Sequence, residues 1–293
     1  MPRLIADPAT RVAALRQERM PITDATSGSR LRLRAPEPAD LTRLAVYLGR
    51  APGPERAGYL GIVEEHEPSE PPATEPGVDW RTLRGCGAHL SDRDAGIFTT
   101  VQALANWHAT HRFCPRCGSP TESAASGWVR RCTADGSEHF PRTDPSVIVS
   151  VTDADERLLL GRGLRWPAGH YSVLAGFVEP GESFEAAVVR EVFEESGVRV
   201  TDVRYLADQP WPFPWSLMVG CTARATTTRL RPDPDEMAEV RWVSRDEYAE
   251  LLRDGSIRVP GGISIARRLI ERWLGQPVEV VAGRRVADRW GAR

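Results

Sequence analysis

Glu191, Glu194 and Glu195 are spaced i, i+3 and i+4, and Gly197 follows them closely. On a helix the three carboxylates share one face and repel one another. They also fall in the last turn before a glycine suited to the C′ position, where the negative end of the helix dipole disfavours acids. A chain that breaks two local rules together needs a cation there. Phe184, Val188 and Val192 form an adjacent apolar row at i, i+4 and i+8, which would dock the helix on a sheet and hold the carboxylates at its edge. An oxygen-rich site of this kind suits hard divalent ions, and Mg²⁺ takes a few carboxylates and completes its shell with water and substrate phosphates.

Clustered glutamates are most often a solvated acidic face, so the surrounding residues decide. From Gly176 to Val198 the chain reads Gly-x5-Glu-x7-Arg-Glu-apolar-x-Glu-Glu-x-Gly-apolar. This string resembles the Nudix hydrolase box at every defining position. Its remaining charged positions, Glu182 and Arg190, are expected to form a structural pair that fastens the preceding loop to the helix, with contact to phosphate as the other reading of either.

At 293 residues the chain is long enough for two domains, and its apolar content of 41% is that of a globular protein. No apolar run approaches the length of a membrane span, and no charged segment leads into a hydrophobic one at the N-terminus. A cytoplasmic protein with no membrane partner is expected. The net charge of −2 gives no broad footprint for nucleic acid, leaving local basic patches such as Arg267-Arg268. All 38 basic residues are Arg, which excludes Schiff-base and lysine general-base chemistry.

Residues 64–77 combine prolines with glutamates and are expected to be a mobile loop inside an N-terminal domain. Arg30–Arg34 alternates as a half-buried strand, and Thr100–Ala109 reads as a helix. No motif in this region assigns a role, so scaffolding, dimer formation and one wall of a substrate pocket stay open. From residue 146 the pattern predicts a hairpin of 146–152 and 158–160, and further strands at 171–175, 202–206, 216–223 and 239–243. Helices are expected at 183–196, at 245–253 with Ser244 and Glu247 as a capping box, and at 263–274. Strands interleaved with helices imply a sheet covered on both faces. The expected class is α+β, namely an α/β/α sandwich over 144–275, preceded by an N-terminal α+β domain over 1–110 and a small cysteine element over 111–143. Residues 276–293 read as a C-terminal tail.

Five cysteines are an odd number, and three of them, Cys114, Cys117 and Cys132, lie close together while Cys86 and Cys221 stand apart. A disulfide framework is not expected. Cys114-Pro-Arg-Cys117 followed by Cys132 has the front half of a zinc ribbon, in which Zn²⁺ takes four S or N ligands. A complete ribbon would place a cysteine where this chain has Asp135. Asp135 has the better spacing and His139 the better ligand chemistry, so both stand as candidate fourth ligands of a structural zinc site. A ribbon kept as a fold element without metal is the remaining reading.

Beyond the box, Gln209-Pro-Trp-Pro-Phe-Pro-Trp-Ser216 alternates three prolines with aromatics. Pro210, Pro212 and Pro214 restrict the backbone, so Trp211, Phe213 and Trp215 are presented in nearly fixed directions for a flat ring, while Gln209 and Ser216 offer hydrogen bonds to its polar edge. Lying downstream of a cysteine ribbon and a Nudix-like box, this stretch resembles that of the NADH pyrophosphatase family, also called NAD-capped RNA hydrolases. The similarity runs from about residue 80 to residue 274. One departure is Asp208, where the family usually has Ser; the other is the missing fourth cysteine.

The resemblance implies a Nudix fold and attack of water on the pyrophosphate of NADH or NAD⁺, giving nicotinamide mononucleotide and AMP. With an NAD-capped RNA, the product would be 5′-monophosphate RNA. It implies Glu191, Glu195, Glu236 and the carbonyl of Ala175 as ligands of Mg²⁺ or Mn²⁺, and Glu194 as a further ligand or the base. Glu239 is a rival to Glu236. It further implies Phe140 as a ring-stacking residue, Ala266 as a backbone contact to substrate, 209–216 as the nucleoside site, and a homodimer. The alternatives are a Nudix enzyme for another nucleoside diphosphate derivative such as ADP-ribose, and a non-catalytic nucleotide sensor.

Overall fold

The computed structural model describes residues 1–26, 28–51, 57–64 and 76–283. Most of the proline-rich stretch 64–77, and the tail beyond 283, lie outside the described residues. The chain divides into two compact units. One comprises Met1–Thr143 with Trp211–Trp215, and the other comprises Asp144–Pro210 with Ser216–Arg293.

The N-terminal unit begins with α1 (Pro2–Ile5), β1 (Arg11–Leu15), β2 (Arg19–Ala25) and β3 (Gly28–Leu31). It continues with β4 (Leu44–Arg50), β5 (Gly58–Val63), β6 (Asp79–Thr82), α2 (Leu83–Cys86) and α3 (Asp92–Thr110). Two three-stranded sheets result, in the orders β1-β5-β4 and β3-β2-β6. The helix expected at 100–109 starts eight residues earlier. Ser91 caps it by accepting the Asp94 amide, and Asp92 and Asp94 sit in its first turn, where acids favour the helix dipole. Ile97, Phe98, Val101, Leu104 and Trp107 are its buried face. Gly61 of β5 lets this helix approach closely, because a Cβ there would lie 2.3 Å from a Val101 methyl. The strand expected at 30–34 ends at Leu31, and Arg34 then bridges back to Val12. The unit closes with the ribbon, β7 (Thr121–Ala124), β8 (Val129–Cys132) and β9 (Glu138–His139), paired antiparallel in that order.

The second unit carries β10 (Asp144–Thr152), β11 (Leu158–Gly163), β12 (Leu174–Phe177) and α4 (Phe184–Ser196). After these come β13 (Val200–Trp211), β14 (Ser216–Ala225), β15 (Met237–Val243), α5 (Arg245–Asp254), α6 (Ile265–Leu274) and α7 (Val278–Ala282). The sheet order is β13-β14-β10-β11-β15, with β12 also on β10. β10 runs parallel to β14 and antiparallel to β12, so the sheet is mixed.

Period-two alternation on β10 sends Val147, Val149 and Val151 to the core beneath α4, and Ile148 to the core shared with α5, α6 and α7. The sheet is covered on both faces, as the interleaved pattern predicts. Val188 and Val192 are fully buried as the apolar row requires, but Phe184 is 43% exposed. It is the first helical residue, ahead of the stretch that lies on the sheet, and Ala187 takes the inward position instead. Val278 and Ala282 are buried in the same core as α6, so the first residues of the stretch read as a tail belong to the domain.

Candidate active site

Ser183 opens α4 by accepting the Ala186 amide, and Gly197 closes it at φ 74°, with its amide bonded to the Phe193 carbonyl. Gly197 is the terminus the sequence marks, and the helix starts one residue inside the expected 183–196 because Ser183 serves as its cap. Between them Arg190 relieves much of the carboxylate repulsion. Its guanidinium donates to Glu182 at 2.8 and 2.9 Å, to Glu191 at 2.9 Å, to Glu194 at 3.0 Å and to the Phe177 carbonyl at 2.9 Å. Glu182 also accepts the Glu179 amide, so the loop is tied to the helix by the expected pair. The Arg190 hydrogen bonds hold the Glu182 carboxyl below its usual range.

Glu195 is left without such a partner. One carboxylate oxygen, Oε2, is buried with no hydrogen-bond partner among the described residues. Burial, with the charges of Glu191 and Glu236, pushes its carboxyl up to about 8, while the Ala175 amide works in the opposite direction. Burial also raises Glu191, against the Arg190 guanidinium, with Glu194 and Glu236 adding to the rise. Glu236 is thus close enough to be felt by both helix glutamates, although it comes from the turn before β15. Glu239, its rival, is bound instead by the Tyr171 hydroxyl.

β12 lines this cluster with backbone. Ala175 pairs with Ile148 of β10, and Gly176 leaves room for the acid, since a Cβ there would fall 1.8 Å from the Glu191 carboxyl carbon. A buried, unpartnered carboxylate oxygen beside further carboxylates and backbone is an unfavourable arrangement for the protein alone. It fits a hard divalent cation held by oxygen.

The residues around the aromatic-proline stretch separate between the units. In the second unit, Gln209 spends both ends of its amide on backbone. Nε2 donates to Ile263 O at 2.5 Å, and Oε1 accepts from Ile265 N at 2.8 Å, which anchors the start of α6. The Ala266 amide is occupied by Ser264 Oγ at 3.2 Å, and Ser216 is nearly buried at the start of β14. Asp208 accepts from Tyr205 on its own strand.

Trp211–Trp215 belongs to the N-terminal unit. Trp211 and Phe213 meet edge-on at 5.0 Å, and the Arg84 guanidinium lies 3.8 Å from the Phe213 ring centre and 4.8 Å from that of Trp211. Trp215 meets His111 edge-on at 5.8 Å. Asn106 donates to the carbonyls of both Pro212 and Pro214. Neither Arg84 nor Asn106 carries a motif signal, because each reaches the loop only through the tertiary fold. Phe140, next to β9, is 65% exposed.

In the ribbon, ligand atoms of Cys114, Cys117, Cys132 and Asp135 all lie within 4.8 Å of one another. His139 is outside this set, and its Nε2 is 3.2 Å from Ser137 Oγ. Ser137 orients the carboxylate by donating both its amide and its hydroxyl to Asp135 Oδ1, at 2.9 and 2.6 Å. Three thiols and a carboxylate gathered in this way fit Zn²⁺.

Three family models match the chain in succession. They are a NADH pyrophosphatase-like rudimentary NUDIX domain over 9–107, a NADH pyrophosphatase zinc ribbon domain over 109–140, and a NUDIX domain over 142–259. The first covers the region in which the sequence shows no motif. The chain is 42% identical over 250 residues to the NAD-capped RNA hydrolase NudC of Mycobacterium bovis, covering 78% of this chain and 75% of that protein. Identity and coverage are the same for the NudC of Mycobacterium tuberculosis. A NAD-capped RNA hydrolase of Homo sapiens is 40% identical over 197 residues, or 63% of this chain and 43% of that protein. With this identity over most of its length, and the three matching domains in order, the chain belongs to the NADH pyrophosphatase and NAD-capped RNA hydrolase family of Nudix hydrolases.

Proposed function

We propose that the protein hydrolyses the pyrophosphate bond of NADH and NAD⁺ to nicotinamide mononucleotide and AMP, and removes NAD caps from RNA. The observation that carries the hydrolytic reading is the buried, unpartnered Oε2 of Glu195, beside Glu191 and within the field of Glu236. When bound, Mg²⁺ or Mn²⁺ would neutralise charge on the pyrophosphate and make a water a better nucleophile. Glu191, Glu195, Glu236 and the Ala175 carbonyl would hold the ions. Glu194, the most exposed of the three helix acids and tied to Arg190, stands where it can add a ligand or take a proton. Arg190 keeps Glu191 and Glu182 in place.

The substrate class rests on the relatives' activity and on the rigid aromatics of 211–215, with Phe140 as a further exposed ring. The engaged amides of Gln209 and Ala266 support a role for them in shaping the start of α6. Zn²⁺ held by Cys114, Cys117, Cys132 and Asp135 would be structural. A homodimer is what the resemblance implies, and light scattering on the purified protein tests the assembly. Among the described residues no helix is long and apolar enough to cross a membrane.

The deciding experiment compares NADH, NAD⁺, ADP-ribose, deoxynucleoside triphosphates and an NAD-capped oligonucleotide under titration with Mg²⁺ and Mn²⁺. Nicotinamide mononucleotide, AMP and 5′-monophosphate RNA are the expected products. Preferential cleavage of ADP-ribose would sink the substrate assignment.

A further inference from the structure

Pro212 and Pro214 have no N–H, so the segment between β13 and β14 has few donors of its own with which to fix its shape. One internal bond runs from Phe213 N to Trp211 O at 2.7 Å. The carbonyls on either side of Phe213 are met from α3. Asn106 Nδ2 donates to Pro212 O at 3.0 Å and to Pro214 O at 3.1 Å. Its Oδ1 accepts from Gln102 Nε2 at 2.8 Å, one helical turn earlier, and Gln102 is only 1% exposed. The two proline carbonyls settle which end of the Asn106 amide faces the loop, because an amide reversed by half a turn would oppose its oxygen to both of them.

We propose that Asn106 is a positioning residue for substrate recognition. Supported by Gln102, it clamps the two proline carbonyls and thereby fixes the direction in which Phe213 and its neighbouring rings are offered to the planar base of a dinucleotide. The inference rests on the proposed function, since it assigns Asn106 to the recognition of that substrate. The side-chain hydrogen bonds of Asn106 go to Gln102, Pro212 and Pro214, so the contribution assigned to it belongs to binding and not to the chemical step. An aromatic surface held in one orientation binds a flat ring without the entropy cost of ordering the loop.

Steady-state kinetics with NADH test this on Asn106→Asp, which keeps an acceptor for Gln102 but removes both donors, and on Asn106→Gln, which keeps an amide on a longer stem. For Asn106→Asp, KM is expected to rise about tenfold with kcat within about twofold, the scale of losing two modest hydrogen bonds. Asn106→Gln should recover part of the loss. If circular dichroism shows that Asn106→Asp has not folded, Asn106→Ser, whose hydroxyl is too short to span both carbonyls, is read on the same scale. A folded variant with KM unchanged, or with kcat reduced at constant KM, overturns the inference alone. Wild-type protein that leaves NADH intact removes the proposed function, and the inference with it.

Discussion

Glu195 bears the consequence of the crowded helix face. Its carboxyl is pushed up to about 8 by burial and by its acidic neighbours, so without bound metal the folded protein holds a proton there that the unfolded chain releases. For an acid raised in this way, stability is unaffected below the unfolded value near 4.5 and falls as pH rises through 5, 6 and 7 toward 8. Differential scanning fluorimetry on the metal-free protein should show this decline. Added Mg²⁺ should oppose it, most strongly near pH 8, where the site no longer has to give up a proton to bind. Glu195→Gln should flatten the pH dependence and leave the metal-free protein at least as stable at pH 8, because it removes an uncompensated buried charge. The same variant should lower kcat roughly 100-fold or more, the range typical of losing a stabiliser of transition-state charge. Undiminished hydrolysis would remove Glu195 from the metal site.

At the level of elements, α4 and the loop before it act as one piece because Arg190 reaches both. Replacing it by Met should cost about 2 kcal/mol, the scale of charge-assisted hydrogen bonds at a partly exposed site, as measured by urea unfolding. Activity should fall further than stability, since Glu191 loses its restraint and Glu194 its partner. The C-terminal limit of α4 was legible in the sequence because Gly197 closes the box, and the N-terminal limit was legible to within one residue. The inward face was legible except at Phe184, where periodicity cannot tell whether the first residue has yet reached the sheet. Glu236 was not legible from pattern, since its place near α4 is set by the turn into β15. Asn106 gave no local sign at all: a polar residue in the middle of a helix has meaning only once a distant loop is found to lack donors. Gln209 was legible as a hydrogen-bonding residue, but the partner it finds is the start of α6.

Across the whole molecule, the N-terminal region is the one the sequence explains least. The N-terminal sheets follow from alternation that is short and interrupted, whereas the ribbon and the catalytic domain announce themselves by spacing. The ribbon's geometry predicts its metal content. Purified protein should carry one zinc per chain by elemental analysis, Asp135→Ala should lose it more readily to a chelator, and His139→Ala should retain it, because His139 lies outside the ligand set. Zinc retained equally by both variants would exclude the Asp135 assignment.

The five residues Trp211–Trp215 are encoded within the C-terminal half yet fold with the N-terminal unit. A recombination event that exchanged everything before Asp144 would leave the box glutamates intact and replace the surface on which this segment rests. Across descendants of such an ancestor, hydrolytic power could persist while the choice of substrate drifted. On the proposed assignment the two properties would be inherited through different stretches of gene, and residues on α3 should vary in concert with 211–215 and not with α4.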